Sequence, residues 1–349
     1  MVETMTEDEE RTVEGAPEIP SVRFRSYGGE QDLPAFVAVI RDCREEDRTD
    51  WLPALEEITR SYQYLVNSDP YKDVLVVELA GRVIGYGRVS WAQEVDGLRR
   101  YAHFANLLPA WRGSGLRRAM LRWNEQRLRE IDAELRLTPD ARCTARTFEA
   151  GSSAYETDWA RLLEAEGYRP ARLGYAMVRS LDEPIPDLAV PAGLELRPAQ
   201  PEHLRAIWEA MCEAFRDHMG YSEDDWSDER FEVYRGDNLD QHALWQVAWH
   251  DDQVAGVVHV FIDEDENDAL RRRRGYTESI CVRLPWRRQG LAKALIARSL
   301  RALKEAGMDH AALGVDDDNP NGAVKLYSSM GYRVTREYTT YRKPMADGS

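Results

Sequence analysis

Residues Arg287–Ala292 read RRQGLA, and residues Arg112–Arg117 read RGSGLR. Both have the form Arg-x-x-Gly-x-small, except that the earlier copy ends in arginine. A strand, a tight loop and a helix start gather several backbone N–H groups around one point. The first turn of a helix leaves its N–H donors unpaired, at the positive end of the helix dipole. Such a place holds an anion and suits a pyrophosphate. Gly290 lets the backbone approach closely, Ala292 keeps the helix start uncrowded, and Arg287 and Arg288 add positive charge. An ordinary strand–helix turn with surface arginines has the same local pattern, so the surrounding elements must decide. A carboxylate stands just upstream: Glu278 precedes Val282 by four residues on one strand, which predicts that the two share a face.

The elements that would position these groups occur twice, in the same order. Val74–Ser90 reads as two strands joined by a Gly-containing turn, and Trp245–Asp263 has the same layout. Leu162–Leu181 reads as a helix end, a glycine and two strand-like runs, and Lys325–Met345 repeats that plan. Gly167 and Gly331 fall at the helix ends, where a left-handed residue is cheap only as glycine. In the second half a strand starts at Leu194–Arg197, and Pro201–Phe215 is helical by the spacing of Leu204, Ile207, Trp208, Met211 and Phe215. A helix follows the loop over about Leu291–Ala306, its apolar face Ala292, Ile296, Leu300 and Leu303, and Gly307 ends it. The recurrence points to a duplicated α/β domain, each copy a mixed, mostly antiparallel sheet flanked by helices. The expected organisation is a disordered acidic tail over 1–20, a first domain over 21–181, a Pro-rich linker over 182–193 and a second domain over 194–349.

Composition narrows the class of function. The chain has 349 residues, more than one ordinary core, and 43% of them are hydrophobic. A formal net charge of −16 keeps it soluble and disfavours a nucleic-acid partner, which needs a basic footprint. The four cysteines, Cys43, Cys143, Cys212 and Cys281, form no CxxC pair, and no Cys/His cluster has metal-ligand spacing, so no metal is expected. That usage suits a reducing cytoplasm. No apolar run reaches about 18 residues, so no membrane span is expected, and the acidic N-terminus lacks the apolar stretch of a signal peptide.

The run from Glu278 to Val334 resembles the acetyl-CoA-binding core of the GNAT N-acetyltransferase superfamily. Val282, Pro285, the Arg287–Ala292 loop, Asn319, Leu326-Tyr327 and Gly331-Tyr332 fall in that family's order. The resemblance covers the second half and is weaker over the first. The tandem layout is similar to mycothiol-synthase-type two-domain acetyltransferases. It implies tandem GNAT-type domains and acetyl-CoA as the acyl donor. The pantetheine arm would pair with the strand edge at Cys281 and Val282, and the pyrophosphate would sit on the N–H groups of Arg288, Gln289, Gly290, Leu291 and Ala292. Asn319 would lie near the pantetheine, although one residue more than the common spacing separates it from Tyr327.

Acetyl transfer to an amine needs a neutral amine, a polarised carbonyl and a protonated leaving sulfur. By the resemblance, Tyr327 would be the acid and Glu278 the base, acting directly or through a water, with Tyr276 on the same face to help position that water. A strand N–H would polarise the carbonyl. A core tyrosine and a solvated strand-end carboxylate are the plain alternatives. In the first half Arg117 replaces the small residue, Leu163 stands where Tyr327 does, and His103 corresponds by count to Glu278. A first domain without chemistry, shaping the acceptor cleft, is therefore expected.

The expected acceptor is an amine of a small molecule or a peptide, which the sequence specifies poorly. Ala214–Asn238 mixes aromatic and acidic residues that would suit a cationic amine, and a solvated loop has the same composition. His218 is a ligand contact or a surface histidine. Asp263–Tyr276 carries acids and then Arg271–Arg274, and reads first as a solvated loop paired with its own opposite charge. A non-catalytic acyl-CoA-binding regulator is the alternative function. An aminoacyl-tRNA-dependent transferase fits less well with the charge. A monomer and a homodimer are both compatible with the sequence.

Overall fold

The protein is described by a computed structural model that covers residues 9–137, 142–238, 242–317 and 322–346. It divides into two compact units, one of residues 1–171 with 339–349 and one of residues 172–338. Asn319 lies outside the described residues.

The first unit orders its strands β1 (Val22–Ser26), β2 (Val74–Leu79), β3 (Arg82–Gln93), β4 (Leu98–Leu107) and β5 (Ala145–Ser153) side by side. All pairs are antiparallel except β4 with β5, which run parallel. Helices α1 (Leu33–Asp47), α2 (Leu55–Gln63), α3 (Pro70–Asp73), α4 (Leu116–Arg136) and α5 (Thr157–Ala165) flank the sheet. β4 alternates between buried and half-buried residues along its length, so each side chain packs against a flanking layer. The expectation of a disordered tail is corrected from Glu9 onward. The Arg11 N–H donates to the Phe24 carbonyl at 2.8 Å, Ser26 N–H donates to Glu9 O at 3.0 Å, and Val13 is buried with Ala16 and Ile19 beside it. These apolar residues supply the burial that the acidic composition hid.

Two strands are divided between the units. β6 (Arg169–Ser180) begins in the first unit and enters the second at Arg172, and β12 (Arg333–Pro344) leaves the second unit at Thr339. The chain end therefore belongs to the first unit, with Tyr341 and Met345 in its core and Met345 N–H on the Arg146 carbonyl at 3.1 Å. The expected boundary at residue 181 missed this exchange because both strands read as continuous runs.

In the second unit the strand order is β12, β6, β11 (His310–Asp316), β10 (Arg274–Val282), β9 (Gln253–Ile262), β8 (Gln246–His250) and β7 (Glu195–Arg197). Helices α6 (Leu204–Phe215) and α7 (Asp228–Asn238) cover one face; α9 (Leu291–Glu305) and α10 (Ala323–Ser329) cover the other. A short helix, α8 (Glu264–Leu270), joins β9 to β10 and takes in the charge run: Glu266 pairs with Arg272, and Arg273 with Asp309 at 2.7 Å. The Pro-rich segment is bound to this unit. Ile185, Leu188 and Val190 pack on its core, and Arg301 and Lys304 donate to the carbonyls of Pro186 and Leu181 at 2.8 Å. Gly167 and Gly331 have φ of 94° and 92°, the left-handed helix end expected of them.

Candidate active site

β10 and β11 run parallel but pair only from Arg274–His310 to Tyr276–Ala312. Beyond Tyr276 the two strands part. A β-bulge in β10 marks the same place: Glu278 pairs with His259 and Cys281 with Val257, with Ser279 in the left-handed region at φ 49°. The bulge adds one residue and inverts the alternation of side chains. Glu278 and Val282 therefore lie on opposite faces, which corrects the expectation that they share one. Glu278 shares its face with Cys281 and His259, toward α6. Val282 faces α9, where its Cγ2 and the Leu291 Cδ2 border the empty side of Gly256.

Glu278 is half-buried at the mouth of this gap. Its Oε1 accepts the Gly314 N–H of β11 at 3.2 Å, and no cation partners it among the described residues. Burial raises its pKa from 4.5 to about 7, against a smaller downward pull from the Gly314 N–H. Tyr327 is buried, with its ring 6.2 Å from that of Tyr332 in an edge-on contact. Burial and then the charge of Glu278 push its hydroxyl well above the usual phenol range, so it stays protonated at neutral pH. Tyr276 shares the Glu278 face as expected. Its ring stacks on Phe261 at 5.0 Å and its hydroxyl donates to Glu266, so that hydroxyl is committed to the fold and does not face a water beside Glu278.

The loop meets the helix as expected. Gly290 is the N-cap of α9 with φ 90°, Arg288 is left-handed at 63°, and a side chain on Gly290 would meet nothing within 4 Å. Arg288, Gln289 and Gly290 are exposed, Ala292 is half-buried, and Leu291 anchors the helix in the core. The first turn of α9 thus presents its unpaired N–H groups to an open surface. Arg287 points elsewhere. Its guanidinium donates to Val282 O at 2.9 Å, Ala214 O at 2.8 Å and Asp217 at 2.5 Å, so it ties the loop to the end of α6. Arg112 does the same in the first unit, on Leu107 O at 3.0 Å and on both oxygens of Asp47. The arginine shared by the two loops is a tether.

Backbone direction also refines the strand edge. Arg283 N–H donates to Ala255 O at 3.0 Å, so by alternation Cys281 turns its peptide groups toward β9. Ile280 and Val282 turn theirs toward the open side, and Val282 O is already held by Arg287. Ile280, which the sequence did not single out, carries the available edge.

The first unit has the same gap, filled from within. β4 and β5 pair up to Ala102–Glu149 and then part. Arg117 is 3% exposed; it donates to Ala105 O at 2.9 Å, Glu156 at 2.8 Å and Asp158 at 3.1 Å, with its guanidinium 4.4 Å from the Trp159 ring centre. Aligning Leu163 with Tyr327 places Trp159 at Ala323, and Arg117 at Ala292. Two large side chains thus stand where the second unit has two alanines. Ser114 caps the Leu116 N–H at 3.3 Å, and Pro17 lies 3.8 Å from the side-chain direction of Gly115. His103 does not correspond to Glu278. β4 pairs with β3 without the bulge, so the register places Phe104 opposite Arg88, as Glu278 stands opposite His259. His103 matches Thr277 instead: it bonds Tyr168 Oη at 2.7 Å, as Thr277 bonds Tyr332 Oη at 2.7 Å. Full burial pulls its imidazole down to about 3.

On the acceptor side, Trp208, Trp226, Phe231 and Tyr234 form one aromatic cluster, and His259 stacks on Trp245 at 3.7 Å with its Nε2 on Tyr234 Oη at 3.1 Å. His218 is half-buried against Phe215, and burial lowers its affinity for a proton. Among the described residues no group of three acids, histidines or cysteines is arranged to hold a metal, and no helix is long and apolar enough to cross a membrane.

A parallel pair that splays beside a helix N-terminus recurs in both units, and in the second unit Glu278 stands at the fork with Tyr327 close enough to feel its charge. Residues 205–332 match the acetyltransferase (GNAT) family model. The second unit therefore carries a GNAT domain, and the chain as a whole shares the tandem GNAT layout. It is 25% identical to a GCN5-related N-acetyltransferase from Sphaerobacter thermophilus, over 95% of this chain and 98% of that one, with a TM-score of 0.68. A tandem GNAT protein from the clavulanic acid biosynthesis pathway shares the fold over 94% of this chain and all of its own, at 16% identity and a TM-score of 0.67. The mycothiol acetyltransferase of Thermobispora bispora is 28% identical over 185 residues, 53% of this chain. That match spans 61% of the relative's own length.

Proposed function

We propose that the second unit transfers an acetyl group from acetyl-CoA to an amine of a small molecule or a peptide, by direct attack of the amine on the thioester. The observation that carries this is Glu278: a half-buried carboxylate without a cation partner, held by Gly314 where β10 and β11 part, with a proton affinity near neutrality. The residues present fit a CoA thioester. The N–H groups of Arg288 to Ala292 suit the pyrophosphate, the open edge at Ile280 suits an amide of the pantetheine arm, and Ala292 and Ala323 leave the slot clear. Acetyl-CoA, when bound, supplies an activated acyl group. Glu278 takes the proton from the acceptor ammonium, directly or through a water. The amine then forms the C–N bond as the C–S bond breaks, and Tyr327 gives its proton to the departing sulfur. A β10 peptide N–H polarises the carbonyl. The first unit, its slot filled by Arg117 and Trp159, does not take part in the chemistry.

The test is a thiol-release assay with acetyl-CoA over a panel of amines: amino-sugar thiols, aminoglycosides, polyamines and peptide N-termini. The mycothiol acetyltransferase relative puts an acceptor of the mycothiol type first in that panel. Amine-dependent thiol release with at least one class is expected. Tight acetyl-CoA binding with no release for any amine would instead make the protein a non-catalytic binder.

A further inference from the structure

Arg179 on β6 is 2% exposed, and among the described residues its guanidinium has no carboxylate bonded to it. Nη2 donates to the carbonyls of Pro184 at 2.7 Å and Glu183 at 3.4 Å, while Nε and Nη1 have no hydrogen-bond partner. The Glu183 carboxylate acts on it only through its field and is itself paired with Arg333 at 2.6 Å. A guanidinium stays protonated at any ordinary pH, and burying one without a counter-ion is costly. The fold keeps this charge in a specific place. A Cβ on Gly331 would fall 3.1 Å from Nε, so the guanidinium lies against that peptide. The next residue is Tyr332, whose hydroxyl bonds Thr277 and whose ring meets Tyr327 edge-on. Thr277 precedes Glu278.

The first unit has the same construction with one difference. Lys343 lies against Gly167, with Cδ and Cε 3.9 Å from its side-chain direction, and its ammonium sits 5.4 Å from the Tyr168 ring centre. The Tyr168 hydroxyl bonds His103, as Tyr332 bonds Thr277. Lys343, however, is neutralised by both oxygens of Glu125 on α4, at 2.7 and 2.9 Å. With Leu116 aligned on Leu291, the residue matching Glu125 is Leu300, buried in α9. The acid is present in the unit that holds Arg117 and Trp159, and is replaced by leucine in the unit that has two alanines at their places.

We infer that Arg179 is a positioning residue for the chemistry of the second unit: its guanidinium, bonded to no carboxylate, makes the Tyr332–Thr277 pair a positively biased floor beside Tyr327 and next in the chain to Glu278, favouring the negative charge that develops on the departing sulfur. The inference rests on the proposed acetyl transfer. A fixed charge in a water-poor interior acts over several ångströms and needs no reorganisation during the reaction. The groups that face this floor are Tyr327, Glu278, Thr277 and Arg179, with Arg333 and Glu183 beyond it. Burial holds the Tyr332 hydroxyl above the usual phenol range; its bond to Thr277 and then the charge of Arg179 draw it partly back, and Glu278 adds a smaller upward push.

Leu300→Glu tests this by giving the second unit the acid of the first, leaving Arg179 and its carbonyl bonds in place. Arg179→Met removes the charge, and Arg179→Lys keeps it. Leu300→Glu and Arg179→Met should each lower kcat by about tenfold, with KM for acetyl-CoA and amine little changed and the pH profile displaced. Arg179→Lys should retain most of the turnover. A second readout does not depend on turnover: 13Cζ-tyrosine NMR, with Tyr332 assigned through Tyr332→Phe, should show that resonance move in Leu300→Glu and Arg179→Met and stay in Arg179→Lys. If Leu300→Glu fails to fold, the Met and Lys pair decides in the same way. Unchanged kcat and an unmoved Tyr332 resonance, with only the melting temperature of Arg179→Met lowered, would make Arg179 a structural strut and overturn the inference. A wild type that transfers acetyl to no amine would overturn the proposed activity instead, and the resonance would then decide whether Arg179 biases the floor.

Discussion

Glu278 Oε1 accepts the Gly314 N–H at 3.2 Å, across the gap that opens where β10 and β11 cease to pair. This one bond fixes a carboxylate at the fork while leaving it without a counter-charge, and both effects have measurable consequences. The base form of Glu278 fills as pH rises through about 7, so turnover should rise across the same window. Glu278→Gln should lower turnover by about 10²-fold and flatten that limb. A limb that persists in Glu278→Gln would assign the titration to another group.

The same group makes a prediction about stability, with the opposite sense to the usual carboxylate. Its folded value of about 7 lies above the ordinary 4.5, so between those limits the folded state holds a proton that the unfolded state has released. Its contribution to stability is present at low pH, falls as pH rises through that window, and is lost above it. Glu278→Gln should therefore melt higher than wild type at pH 8, by on the order of 2 kcal/mol after allowance for partial exposure, and match it at pH 4.5. Equal melting at both values would show that Glu278 is solvated.

Tyr327 separates chemistry from binding. Its hydroxyl is held protonated by burial and by the charge of Glu278, and no hydrogen bond among the described residues depends on it. Tyr327→Phe should lower kcat by about 10²-fold while leaving the affinity for acetyl-CoA within about twofold. Comparison of steady-state kinetics with calorimetry checks this. Retained turnover would remove Tyr327 from the reaction.

How far these residues were legible in the sequence follows from the physics of each. The loop, the helix starting at Leu291 and the capping glycines were legible because they depend on local backbone chemistry, and Gly290 and Gly331 carry it in their positive φ. The opposed faces of Glu278 and Val282 were not, since nothing in Glu278-Ser279-Ile280 marks a bulge; it is imposed by neighbouring strands. For the same reason counting back from the loop mistook His103 for the partner of Glu278. Arg287 was misjudged because a tether and an anion ligand need the same residue, and only the position of Asp217 tells them apart. Arg179 was invisible, being one arginine in a strand until its lack of an acid could be compared with the Lys343–Glu125 pair.

The filled slot of the first unit predicts the stoichiometry of the donor. Arg117 occupies the peptide edge at Ala105 that Ile280 leaves available, and Trp159 stands where Ala323 does. Calorimetry should find one acetyl-CoA per chain. Gly290→Glu, which puts a charge and a disfavoured φ at the open loop, should abolish it, and Gly115→Glu should not. Two equal sites, or sensitivity to Gly115→Glu, would show that the first unit binds the donor after all.

The last prediction concerns the chain end, which follows the second unit in sequence but is built into the first. Lys343 neutralises Glu125, which is 5% exposed, and Arg342 pairs with Glu149 at 2.8 Å. Tyr341 and Met345 add apolar burial to the same core. Removing one partner of a buried pair strands the other, so Lys343→Met should destabilise the first unit by about 3 kcal/mol, less whatever Arg129, 3.0 Å from Glu125, compensates. Ending the chain at Tyr338 should do more, since it also removes the strand beside β5. Limited proteolysis with mass spectrometry should then release peptides of β4 and α4 before those of β10 and α9. If the second unit were cut first, the terminal strand would be stabilising the unit that precedes it in sequence, and the division of β12 at Thr339 would be wrong.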